Sequence, residues 1–254
     1  MPSPASASLR RPDSPVTNDR YQASYRVRFD EAGPDGALRT SGLLRYAQDI
    51  AWQHSEALGF DRAWYAERHL TWLVRAAEIE VVVGAPMGSS LDVSTEVLGY
   101  RKVWARRRSE IRLGDGSLAA WVHTDWLLID GVGRPTRVPT EISHLLTAPV
   151  IDAALARVDI GQPPPTAAIR RFNVRPQELD PLEHVNNAVY VDWLLEGIRD
   201  VGDSAPGLRR LRIEYAAAAE PDAELERVTW PRDDGWAHLI RRGDSVLFRA
   251  VAGS

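Results

Sequence analysis

The sequence predicts an α+β protein in which one layout is used twice: a strand, a polar turn, a long helix, then several antiparallel strands. Three observations carry that reading. Apolar residues recur at three- and four-residue steps in two stretches, through Leu43, Leu44, Ala47, Ile50, Ala51 and Leu58 and again through Ala188, Val191, Leu194, Leu195 and Ile198. Such spacing marks a helix with one buried face. Each stretch follows a turn containing Pro and Asp and precedes strand-like runs broken by turn residues. Between the two copies lies a Pro- and Gly-containing stretch, Pro149 to Thr166.

Taken in order, Met1 to Asp19 is rich in Pro, Ser and Ala, with no apolar run long enough for a signal peptide or a membrane span. Residues 1–20 therefore read as a flexible tail. A first module, 21–148, opens with the alternating strand Tyr25 to Phe29 and breaks at Gly33-Pro34-Asp35-Gly36. Its helix stops at Gly59, a C-terminal cap. Strands are expected over Leu70 to Val83, Leu91 to Arg101, Trp104 to Leu113 and Leu118 to Ile129, with Gly84, Pro86, Gly88, Gly114-Asp115-Gly116, Gly131 and Gly133 in the turns between and after them. The linker is 149–166. A second module, 167–254, repeats the order: a strand over Ala168 to Arg175, a helix from about Asn187 to Val201, then strands at Leu208 to Tyr215, Leu225 to Trp230, Trp236 to Arg241 and Val246 to Val251. Asp35 precedes Tyr46 by eleven residues and Asp180 precedes Tyr190 by ten, which suggests that these pairs correspond.

Composition narrows the function. With 44% hydrophobic and 26% charged residues the chain can bury a real core, and a net charge of −4 of mixed sign gives no footprint for general nucleic-acid binding. The absence of cysteine excludes disulfides, cysteine catalysis and Cys-based zinc sites, and fits a cytoplasmic protein. The six histidines show no metal-ligand spacing, so neither metal nor cofactor is expected.

The chemistry gathers at the start of the second helix, in Asp180-Pro181-Leu182-Glu183-His184-Val185-Asn186-Asn187. Either Asn can cap the helix, and first-turn N–H groups without a helical partner then point toward Asp180 and His184. A carboxylate, an imidazole and free N–H donors at one helix end are what attack on a carbonyl requires. Taken locally, the same residues also make ordinary turn and cap material.

The run from Asp180 through His184, Val185, Asn186, Asn187 and Tyr190 to Trp193 and Glu196 resembles that of the hot-dog thioesterases, and more closely the plant and bacterial acyl-acyl carrier protein thioesterases. The first half is similar too, at Glu31, Gly33, Asp35, Leu43, Gln48-Asp49, Ala51, His54 and Gly59, in the Leu70 to Arg75 strand and at Arg106-Arg107; in the second half Ile213-Glu214-Tyr215 follows suit. The resemblance implies tandem hot-dog modules, each a long helix packed on an antiparallel sheet, with the acyl chain held by the first module and the chemistry in the second. It also implies a thioesterase acting on fatty or related acyl thioesters of acyl carrier protein or coenzyme A. Three positions depart from the plant pattern: Leu182 stands where an Asn is usual, and Ala218 and Ala219 stand at an acid and a Cys. Glu183 and Glu220, the nearby carboxylates, read as solvated surface charges.

On this reading Asp180 activates water or attacks directly, His184 orients the thioester or protonates the sulfur, and the N–H of Asn186 or Asn187 polarises the carbonyl. Tyr46, Trp52, Trp72, Trp121 and Tyr190 are candidates for the acyl cavity wall. Arg106, Arg107 and Arg108 are candidates for contacting the carrier, although strand alternation sends Arg107 to the opposite face from the other two. The competing reading is a non-catalytic hot-dog protein that binds acyl thioesters or acts as a scaffold, favoured by Leu182 and the alanine run; a hot-dog dehydratase or hydratase fits the motif less well. Neither a membrane nor a nucleic-acid partner is expected, and monomer and homodimer both fit.

Overall fold

The computed structural model describes residues 20–146, 148–151, 157–202 and 208–253; the expected tail lies outside them except for Arg20. The first half runs β1 (Arg20–Arg26), α1 (Thr40–Ala57), α2 (Arg62–Glu67), β2 (Thr71–Val81), β3 (Ser90–Arg101), β4 (Trp104–Leu113), β5 (Leu118–Ile129) and α3 (Thr140–Leu145). The second runs β6 (Ala168–Asn173), α4 (Asn187–Asp200), β7 (Arg210–Tyr215), β8 (Glu224–Arg232), β9 (Gly235–Arg242) and β10 (Ser245–Gly253). Among the described residues the strands form one ten-stranded sheet, β1-β3-β4-β5-β2-β7-β10-β9-β8-β6, antiparallel throughout. No described helix is long and apolar enough to cross a membrane.

The order reads the same from both edges, so the halves are related by a near-two-fold axis through the β2–β7 pair, where Ala77 lies opposite Ile213. Both long helices lie on the same face of the sheet. They meet where Arg45 of α1 bonds Asp192 of α4 at 2.9 Å, residues 147 apart in the chain. One hydrophobic core runs through both halves and includes Leu44, Ile50, Ile79, Ile111, Leu194, Ile198 and Ile213, all 0–1% exposed. Each such side chain stabilises the fold by ~1.5–3 kcal/mol relative to leaving it in water. The expected end of α1 is borne out: Gly59, at φ +89°, lets its own N–H reach Glu56 O and that of Phe60 reach Ser55 O.

Four expectations need correcting. The first strand begins earlier and ends by Arg26; Phe29 sits in a 3-10 turn, 85% exposed. Two short helices were not expected, and they bury Tyr65 and Ile142 against Phe60 and Trp72 over one end of the first half. The linker was read only as a crossing between the modules, yet it contributes to the core: Val158 and Ile160 are buried on Val228, Trp230 and Leu239, on the face of the sheet away from the helices.

The fourth correction is the register of the repeat. Glu31 and Glu178 occupy the same place, each accepting a backbone N–H from the Arg three residues earlier and a ring donor from the long helix, Tyr46 in one half and Trp193 in the other. Gly33 N–H donates to Ala37 O just as Asp180 N–H donates to His184 O. The hydrogen bonds therefore align Gly33 with Asp180 and Tyr46 with Trp193, at the same 147-residue offset as Arg45 and Asp192. Asp35 is not the counterpart of Asp180.

Candidate active site

The loop ahead of α4 is a tight hairpin closed by a bridge between Leu179 and Val185. Glu183 takes a left-handed φ of +60° at its tip, and its N–H returns to Asp180 O at 2.9 Å. Asp180 Oδ1 accepts the N–H groups of Leu182 at 2.8 Å and His184 at 3.4 Å, which pins the carboxylate to its own loop. Its Oδ2 takes no hydrogen bond among the described residues, and the side chain is half-buried. One carboxylate oxygen is thus fixed and the other available.

The start of α4 separates the two asparagines. Asn186 is the N-cap: its Oδ1 accepts Ala188 N–H at 2.9 Å and its carbonyl accepts Val189 N–H at 2.9 Å. Its own N–H donates to Glu178 O at 2.9 Å, so Asn186 has no backbone donor to offer a substrate. The N–H of Asn187 has no acceptor among the described residues, while Tyr215 Oη holds the Asn187 carbonyl at 2.8 Å. Of the two donors expected from sequence, the geometry leaves Asn187.

A cavity of about 1070 Å³ opens from this point into the first half, at the upper end of the ~300–1,000 Å³ usual for small-molecule sites. Asp180, His184 and Asn187 stand at one end; Trp52 of α1, Leu58 just past its end, Phe60, Trp72 and Val74 of β2, Trp126 of β5 and Ile142 of α3 are among the residues that form the rest. His184 is exposed and belongs to the mouth. Tyr190 also lines the cavity, its hydroxyl accepting Ala219 N–H at 2.9 Å and its pKa pushed up to about 12 by burial, so it stays protonated at neutral pH.

Of the aromatic residues expected in the wall, Trp52, Trp72 and Tyr190 are there. Tyr46 instead donates to Glu31 at 2.6 Å and packs on Tyr25, on the β1 side of α1. Trp121 alternates with buried Ala120 and Val122, so it lies on the outer face of the sheet with its ring 4.6 Å from that of His123. The arginine run divides as alternation requires, but it makes no free cationic patch. Arg106 grips Asp125 through two bonds of 2.6 and 2.8 Å, and Arg108 pairs with Glu96 and Glu110. Arg107 faces inward and lines the cavity, bonded to His54 Nδ1 at 3.0 Å, its pKa pushed down to about 10 by burial. Glu220 pairs with Arg242 away from the site, and Glu183 sits exposed on the loop.

Arg75 was matched by resemblance as the end of the Leu70 to Arg75 strand but given no role; its guanidinium reaches from β2 to the carbonyls of Tyr215 and Ala216 (2.7 Å to the latter) and fixes the wall made by Ala216 to Ala218. A charge inside the apolar run Leu70 to Ala77 was the available signal. Gln48 was matched by resemblance but given no role; it lines the cavity too.

The acyl-ACP thioesterase N-terminal domain matches residues 18–146, and the acyl-ACP thioesterase C-terminal domain matches 161–245. A chloroplastic acyl-[acyl-carrier-protein] hydrolase of Cuphea viscosissima is 26% identical over 261 residues, covering 91% of this chain and 62% of that protein. A chloroplastic dodecanoyl-[acyl-carrier-protein] hydrolase of Cinnamomum camphora is 24% identical over 82% of this chain and 59% of its own length. The chain thus spans about three-fifths of the plant relatives it matches. Among solved structures, the 12:0-ACP thioesterase from Umbellularia californica superposes with a TM-score of 0.79 at 21% identity, covering 92% of this chain and 96% of that one. An acyl-ACP thioesterase from Bacteroides thetaiotaomicron gives 0.79 at 16% identity, over 94% and 99%. The shared architecture is the tandem hot-dog fold.

Proposed function

This chain belongs to the acyl-ACP thioesterase family, and from that premise we propose that it hydrolyses the thioester of a fatty or related acyl group carried on acyl carrier protein, releasing acid and thiol. The observation that carries the proposal is the half-buried Asp180 carboxylate beside the unengaged Asn187 N–H, at one end of a largely apolar cavity. The acyl chain lies in the cavity of the first half and its carbonyl reaches the start of α4. There the Asn187 N–H and the positive end of the helix dipole face the carbonyl oxygen. Asp180 Oδ2 takes a proton from a water molecule as the water oxygen bonds to the carbonyl carbon, and the C=O electron pair moves onto oxygen. When that pair returns, the C–S bond breaks and the departing sulfur takes a proton from Asp180 or from His184 at the mouth.

A thiol-release assay over acyl-ACP and acyl-CoA substrates of graded length tests the reading, with Asp180→Asn as control. The wild type is expected to turn over, with ACP thioesters preferred. The variant should be folded and slower by ~10²–10⁴-fold, the range for losing a general base. Leu182 and Ala216 to Ala218 bring no second carboxylate or side-chain amide to the site, which favours a binding protein as the second reading. Saturable acyl-thioester binding without thiol release would establish that instead.

A further inference from the structure

Asp180 and Asn187 leave the site one group short. An oxyanion is usually held by at least two donors, and Asn187 N–H is a single one. The side chains of Leu182, Ala216, Ala217 and Ala218, which line the same cavity, have no polar atoms, and three hydroxyls there are engaged: Ser55 with Phe60 O, Tyr65 with Ser55 and Trp72, Tyr215 with Asn187 O.

Gln48 differs from these. It lines the same cavity, its Nε2 is buried without an acceptor, and neither amide atom makes a hydrogen bond among the described residues. Burying an amide donor unpaired is unfavourable, and native proteins seldom tolerate it unless the group has another use. With both amide atoms unpartnered, a half-turn about the last side-chain bond brings the NH₂ to the cavity without breaking any hydrogen bond.

Position supports the same use. Arg45 and Asp192 are equivalent residues that touch, so the near-two-fold axis passes between them. The axis that makes β2 and β7 antiparallel makes α1 and α4 antiparallel as well. Gln48, one turn past Arg45, therefore lies beside the turn of α4 that precedes Asp192, where Asn187 is found.

We propose that Gln48 Nε2–H is the second donor to the thioester carbonyl oxygen, a catalytic residue given by the first half to a site whose base and backbone donor come from the second. The role rests on the thioesterase reading above. As water adds to the carbonyl carbon, the negative oxygen is held between Asn187 N–H and Gln48 Nε2–H; both bonds weaken when the C–S bond breaks and the carbonyl re-forms.

The test is Gln48→Leu, assayed by thiol release on the best wild-type substrate, together with its thermal midpoint and its affinity for a non-hydrolysable thioether analogue. We expect kcat to fall by ~10²–10³-fold, as when one oxyanion donor is removed, with KM and analogue affinity within about threefold. The thermal midpoint should hold or rise, because an unpaired buried donor has gone. Turnover within twofold of wild type overturns the role, as does a loss of turnover accompanied by a lower midpoint or weaker analogue binding, either of which makes Gln48 a packing residue. An inactive wild type overturns the thioesterase reading and this role with it; an active wild type matched by Gln48→Leu overturns this role alone.

Discussion

The two halves share a backbone but not an interior. At the loop before the long helix their hydrogen bonds coincide, yet Gly33 stands where the second half has Asp180, and Arg39, with no side-chain cap bond, stands where Asn186 caps α4. Behind the helices the contrast reverses. In the second half, Tyr190 packs against Trp193, Phe248 and Tyr215 at ring distances of 4.9, 5.1 and 5.5 Å. Gly197 is held so close that an added Cβ would lie 2.2 Å from Thr229 Oγ1. In the first half, by contrast, α2 and α3 roof a cavity. Arg107 and His238, each the fourth residue of its strand, show the consequence. His238 is sealed in with Thr229 at 2.8 Å, its pKa pushed down to about 3 first by burial and then by Arg227, and so is neutral. Arg107, at about 10, keeps its charge beside a hollow. A duplicated fold has kept the acid in one copy and the room for a substrate in the other.

The strongest challenge to that division is to move the acid. In Asp180→Asn combined with Gly33→Asp, the Cβ of the new side chain comes closer than 3 Å only to Asp35 Oδ1, at 2.9 Å, the end of a side chain that can swing aside by giving up its bond to Ala37 N–H, so the double variant should fold. The ~10²–10⁴-fold loss from Asp180→Asn should persist in full, because Gly33 is paired with no capped helix start and does not line the cavity. Recovery of turnover in the double variant would mean that the halves are interchangeable.

A smaller effect probes the sealed interior. A buried His whose pKa falls from about 6.5 unfolded to about 3 folded binds more protons in the unfolded chain between those values. Stability from His238 is therefore complete above pH 6.5 and lost on acidification, by about 1.4 kcal/mol per pH unit once well below 6.5. His238→Asn should flatten the fall in denaturation midpoint between pH 6.5 and 5, whereas an unchanged acid limb would show that the imidazole takes up its proton as readily folded as unfolded.

Much of this architecture was legible in the sequence. The apolar steps of both helices, Gly59 at the end of α1 and the glycine turns between strands each follow from local physics that tertiary contacts reinforce. The short helices escaped because six residues are too few for a periodic pattern; Asp61, whose side chain accepts Trp64 N–H at 2.8 Å, was the available sign of α2. Alternation placed Arg107 opposite Arg106 and Arg108, but only the strand register, which sets Arg106 against Asp125, shows that the outer pair is neutralised. Residue type placed aromatic side chains in the interior without giving their direction, so Tyr46 and Trp121 were misassigned while Trp52 and Trp72 were not. The repeat itself was visible, and its register was not, because it is written in backbone bonds around Glu31 and Glu178 rather than in identities.

The mildest test compares the two helix starts. Asn186→Ala removes a side-chain cap and should lower stability by about 1 kcal/mol, measurable by urea unfolding, with a modest fall in kcat as the first turn that presents Asn187 loosens. Arg39→Ala removes one exposed bond to Asp30 O at 2.8 Å and no cap, so its stability should stay within about 0.5 kcal/mol of wild type. Equal losses at the two positions would place the helix starts under the same constraint. The asymmetry expected instead follows from what each start must do: α1 has only to enter the core, whereas α4 must hold one N–H steady in front of a carbonyl.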